Sequence, residues 1–170
     1  MTRADPQNGA HALFLMFELD GERYALDAAG IDEVLPLAVM KAVPGAPDWI
    51  AGLLMRGGQP VPVIDVPMLA LGRRAQALRS TRLVMVRHRA GHADGERTIG
   101  LIVERATQTM RIDRAVFRAS GVSTARTRWL GRVANTPDGV VQQLSVSDLI
   151  EDVARLYLFD GRSGHGEEFA

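Results

Sequence analysis

Val43-Pro-Gly-Ala-Pro47, Trp49-Ile-Ala-Gly52 and Met55-Arg-Gly-Gly58-Gln-Pro-Val-Pro-Val-Ile-Asp65 stand in one run of twenty-three residues. The prolines of the first segment make a rigid loop that leads into an apolar strand. Gly57-Gly58 supplies a turn that needs positive φ, and Gln59 to Asp65 runs back as the partner strand. Proline cannot donate to a sheet ladder, so Pro60 and Pro62 place the returning strand on an edge or at a bulge. A β-hairpin of this kind, followed by a short helical turn from Val66 to Leu71, is the unit from which the rest of the chain is read.

Upstream, Leu13-Phe-Leu-Met-Phe-Glu-Leu19 reads as a largely buried strand. Asp20-Gly21 is a favoured two-residue hairpin turn, and Glu22-Arg-Tyr-Ala-Leu26 returns beside it. Asp27 is placed to cap a short helix from Ala28 to Leu35, with Ile31, Val34 and Leu35 forming one apolar stripe and Pro36 ending it. Downstream of an Arg-rich linker at 72–82, Leu83 to Val86 reads as a strand. A second strand runs from Gly95-Glu96-Arg97 to Val103, a triplet that repeats Gly21-Glu22-Arg23 in the same setting and suggests two related β-subdomains. Thr109 to Ile112 reads as a further short strand, 117–136 as loop, and Val140 to Leu144 as the last strand. Ser145-Val-Ser-Asp148 is a capping box that opens a helix with Leu149, Ile150 and Val153 inward.

Length and composition bound the rest. The 170 residues suit one compact domain, at 12–159, between loose flexible tails with little to bury at 1–11 and 160–170. No apolar run is long enough to span a bilayer, and Met1 to Gly9 carries no secretory signal, so the expected location is cytoplasmic. With no cysteine, disulfides and thiolate chemistry are excluded. Net charge is zero, which argues against a nucleic-acid binder. The charge is unevenly spread: residues 73–128 carry thirteen basic and four acidic groups. That middle third either solvates surface strands or steers docking onto an acidic partner.

No reactive constellation emerges. His88 and His92 flank a loop rather than a helix, so their spacing brings no metal ligands together. Asp65 is a lone carboxylate at a strand end, suited to bonding backbone amides and lacking a second acid for a dyad. Asp32 and Glu33 are neighbours that point apart on a helix, and Glu33 reads as a solvent-facing contact residue. Trp49 and Trp129 read as core or interface anchors. No catalytic residue, metal or cofactor is expected.

The proline loop, the hairpin and the Val61-Pro-Val-Ile-Asp65-Val strand resemble the CheW-like family. Phe14-Leu-Met-Phe-Glu-Leu, Tyr24-Ala-Leu26 and Ile31-Asp-Glu-Val34 look like the family's opening, and Ile99-Gly-Leu-Ile-Val-Glu104 is similar to one of its later strands. The resemblance covers about 12–155. It implies a mostly β fold of two interlocked SH3-like five-stranded barrels with short helices around a shared apolar core. It also implies a non-catalytic adaptor that couples the signalling tip of a methyl-accepting chemoreceptor to the regulatory domain of a CheA-type histidine kinase, in cytoplasmic membrane-associated arrays. A kinase-only binding module is the alternative. An apolar groove between the barrels would take the receptor's helical hairpin, and a separate barrel face would meet the kinase. Carried onto this chain, the partner-binding residues are Ile31, Glu33 and Val34 from the helix motif, Met55, Arg56, Gly57 and Gly58 from the turn, and Leu83 lining the groove. The family's Asn-Leu-Arg-Gly turn aligns with Met55-Arg56-Gly57-Gly58, so the usual Asn is Met and the usual Arg is displaced by one place. This departure points towards a divergent surface-sensing, pilus or second-messenger array.

Overall fold

A computed structural model of the chain describes residues 11–89, 95–124 and 127–153. Nine strands dominate it. β1 (His11–Leu19) and β2 (Glu22–Asp27) form the first hairpin, turning through Asp20 at φ 50° and Gly21 at φ 82°. Two successive left-handed residues match the twist of the flanking strands, which is why Asp-Gly suits this turn. β3 (Ile31–Pro36) follows, then the hairpin of β4 (Ile50–Arg56) and β5 (Gln59–Asp65). The helix α1 (Val66–Leu71) leads through the linker to β6 (Arg82–Arg89) and the long β7 (Glu96–Asp113). β8 (Leu130–Thr136), β9 (Gly139–Leu144) and α2 (Val146–Val153) complete the described chain.

β7 belongs to two barrels. Its first part pairs antiparallel with β6, from Arg89↔Glu96 to Arg82↔Val103, and its second part pairs with β1, from Glu18↔Glu104 to His11↔Asp113. The change of partner falls at Arg105, whose φ of 51° bends the strand. One barrel therefore holds the end of β7 with β1, β2, β9 and β8, and the other holds β3, β6, the start of β7, β5 and β4. Each closes through one parallel pair, β2 with β9 and β5 with β7. The first hairpin of each half thus completes a barrel with the last hairpin of the other half. The fold is mostly β, two interlocked SH3-like barrels.

The repeat is closer than the sequence suggests. Trp49 to Asp65 and Trp129 to Ser145 correspond at a constant offset, with the same hairpin register and an irregularity near the start of the first strand in both. The N–H groups of Asp65 and Ser145 donate to the carbonyls of Trp49 and Trp129 at 2.8 Å in both halves. Lys41 bridges Leu53 as Arg118 bridges Val133.

Three apolar clusters follow from this arrangement. Phe14, Met16, Ile112, Phe117 and Val141 fill the first barrel, and Val61, Val63, Leu83, Met85 and Ile102 the second. Between them lies the largest cluster, which combines Phe17, Leu19 and Leu26 of one barrel with Ile64, Val84 and Leu101 of the other. Leu149, Ile150 and Val153 of α2 seal it, as the capping-box reading expects, with Ser145 Oγ accepting from Asp148 N at 3.4 Å.

Three expectations need correction. The stretch 28–35 is not a helix: only Ala28–Gly30 makes a 3₁₀ turn, capped by Asp27 Oδ1 accepting from Ala29 N at 2.9 Å, and Ile31–Pro36 is a strand. A one-turn apolar stripe has little intrinsic helical stability, whereas β6 offers a full ladder, with Val34 opposite Val84 and Leu35 opposite Leu83. Thr109 to Ile112 is not a separate strand but the end of β7. Residues 130–136, read as loop, form β8, where Gly131, Arg132 and Asn135 obscure the alternation. Of the expected tails, residues 1–10 and 160–170 lie outside the described residues, as does His92, while His11 belongs to β1.

Candidate functional site

The second barrel opens at one end into a cleft of about 610 Å³. Asp32 and Glu33 line it from β3, Arg56 from β4, and Met85 from β6. Gln59 to Pro62 of β5 and Glu96 to Thr98 of β7 form two diverging walls. Glu33 reaches this position because β3 slips by one residue between Ile31 and Glu33. A bulge lets residues on either side of it face different surroundings. Ile31, opposite Val86, therefore packs against the cluster between the barrels, while Glu33, opposite Met85, turns to the cleft.

Across the cleft Arg56 Nη2 donates to Glu33 Oε2, an ion pair joining β4 to β3. Arg87 similarly pairs with Asp32 and lies 3.7 Å from Glu96, which links β6, β3 and β7 along the rim. Both sets are part-exposed, so each contributes modestly to stability and chiefly fixes the pattern of charge. Nothing in the sequence marked Asp32, Arg87 or Glu96 as a group, because their meeting depends on strand pairing.

Of the other residues carried from the family motifs, Gly57 and Gly58 form the β4–β5 turn at φ 53° and 77°. Met55, opposite Pro60, is 61% exposed, and Val34 on the edge strand β3 is 41% exposed. Glu33 and Arg56 are brought together. Ile31, Val34 and Leu35 do not share one face, since the element is a strand. Leu83 has no exposed surface: it lies in the second barrel's core, so it shapes the barrel from beneath and presents nothing to a groove.

Asp65 is accounted for structurally. It is 7% exposed, and Oδ1 accepts from Met68 N at 2.9 Å while Oδ2 accepts from Ala75 N at 3.0 Å. It caps α1 and anchors the linker beyond it. Among the described residues no three His, Asp or Glu side chains are grouped to hold a metal ion, and no helix is long and apolar enough to cross a membrane.

The scaffolding protein TtCheW from Thermoanaerobacter tengcongensis has a similar structure, with a TM-score of 0.72 over 88% of this chain and 92% of that one, at 22% identity. That likeness concerns the fold. No curated protein sequence matches the chain. The CheW-like domain family model matches residues 13–154, nearly the whole length over which both barrels are built. The chain belongs to the CheW-like domain family.

Proposed function

We propose that the chain is a non-catalytic adaptor coupling the signalling tip of a methyl-accepting chemoreceptor to the regulatory domain of a CheA-type histidine kinase, in cytoplasmic arrays beneath a membrane. One observation carries the reading: Met55 and Val34 are exposed apolar side chains on the barrel whose mouth is rimmed by the Glu33–Arg56 pair. Apolar anchors beside oriented charges suit recognition of another protein, the apolar groups for affinity and the charges for register. Family membership and the structural account of Asp65 point the same way.

The test is co-sedimentation of the chain with a receptor fragment and the kinase, comparing the parent with Val34→Asp and Met55→Asp. Ile31→Asp is a poorer probe, because Ile31 packs on the core between the barrels and its loss would disturb the fold. Turnover is not part of the reading.

A second reading is favoured by the Met55-Arg56-Gly57-Gly58 turn. A strict two-residue turn leaves Arg56 as the last residue of β4, held by Glu33, so the chain lacks the family's Arg at its usual place. On this reading the chain engages the kinase alone. Separate pull-downs with receptor fragment and with kinase regulatory domain distinguish the two.

A further inference from the structure

The cleft lies where the β5–β7 ladder has ended, and the two prolines of β5 stand among its lining residues. Arg56 and Gln59 flank a two-residue turn and so form a hydrogen-bonded pair. By alternation Met55–Pro60 and Leu53–Pro62 are non-hydrogen-bonded pairs, so the polar groups of residues 60 and 62 face away from β4, towards β7. There the parallel ladder begins at Val63↔Gly100. The preceding rung, Val61 with Thr98, would need an N–H at residue 62, and the rung before it an N–H at residue 60. Proline supplies neither.

The molecule holds its own control. Val140 and Gln142 of β9 occupy the places of Pro60 and Pro62 in the matching hairpin. There the parallel ladder with β2 runs on to Arg23↔Val141, and Val141 is the counterpart of Val61. With an amide at residue 142 the rung forms; with proline at residue 62 it does not. Beyond that point β5 and β7 diverge, and Gln59 to Pro62 and Glu96 to Thr98 become the facing walls of the cleft.

We infer that Pro60 and Pro62 are positioning residues that withhold two amide donors and so hold the barrel mouth open beside Arg56 and Glu33. That the open mouth serves docking of the kinase regulatory domain rests on the adaptor reading.

The experiment uses the full chain carrying Pro60→Val with Pro62→Gln, the residues of the matching hairpin. Amide exchange by NMR is expected to find the new N–H at residue 62 protected roughly a hundredfold over an exposed amide. The melting temperature should be no lower than the parent's. Binding of the kinase regulatory domain should weaken by about tenfold or more. An amide at residue 62 that exchanges as fast as an exposed one overturns the inference. A protected amide with unaltered binding overturns the docking role. If the parent itself does not bind the kinase domain, the adaptor reading falls, and the exchange result alone decides what the prolines do.

Discussion

Arg73 Nη1 donates to Glu104 Oε1 at 2.6 Å, tying the start of the α1–β6 linker to the point where β7 passes from one barrel to the other. Nη2 of the same guanidinium reaches Asp20 Oδ1 in the first hairpin turn at 2.8 Å, and Glu104 Oε1 also accepts from Gln76 N at 2.9 Å. Glu104 is 5% exposed, so its charge is tolerated only because these donors surround it.

The Arg73 hydrogen bond, opposed by burial and helped by Gln76 N–H, holds the Glu104 carboxyl below the usual carboxylate range. A depressed folded-state pKa contributes stability that is present above the unfolded value, near 4.3, and lost as pH falls through the folded value. Urea denaturation between pH 7 and pH 3 should therefore reveal an acid-side loss that is smaller in Glu104→Gln. At neutral pH Glu104→Ala should cost about 1–3 kcal/mol, because the Gln76 amide loses its acceptor.

Gly100 lies on β7 between β5 and β6, paired with Val63 on one side and with Met85 on the other. A Cβ there would meet Val63 Cγ2 at 2.9 Å and Leu83 Cδ1 at 3.0 Å, both in the second barrel's core. Gly100→Ala should destabilise by roughly 1–3 kcal/mol through overpacking. Adding Val63→Ala should return part of that loss in chemical denaturation, which a purely conformational effect of the glycine would not allow.

Asp65→Ala removes the acceptor of the part-buried Met68 and Ala75 amides. A loss of about 1–3 kcal/mol in thermal or urea unfolding is expected, with Asp65→Asn milder because one oxygen remains to cap α1.

Val34→Asp and Met55→Asp alter exposed side chains, so their melting temperatures should stay close to the parent's. Binding to the receptor fragment or kinase should fall by about tenfold or more, or about 1.4 kcal/mol, in titration calorimetry. Unchanged affinity in both would remove this barrel surface from the interface.

Arg56→Ala breaks a part-exposed ion pair and should change stability by no more than about 1 kcal/mol. Glu33→Gln should match it in a double-mutant cycle, with a small coupling energy in unfolding. A larger coupling with the partner bound than without would assign the pair to recognition.

Local chemistry made much of the fold legible. Asp20-Gly21 and Gly57-Gly58 act through their own φ angles, and Asp27, Asp65 and Ser145 bond amides two or three residues away, or in Asp65's case also ten residues on. Such signals survive in a linear reading because the interacting atoms are close in sequence. The proline strand, the hairpins and the family resemblance rest on them. The helix read at 28–35 failed where the deciding partner was remote: Ile31–Pro36 lies beside β6, some fifty residues away, and a six-residue apolar pattern is compatible with either period until a neighbouring strand claims it.

Hairpin turns, caps and the proline-bearing strand were settled by residue order, since each depends on covalent neighbours. The bulge that turns Glu33 towards Arg56, the burial of Leu83, the passage of β7 through both barrels and the split between β5 and β7 required the folded molecule. Each is a matter of register between strands far apart in the chain, and register is fixed by which side chains the assembled core can bury together.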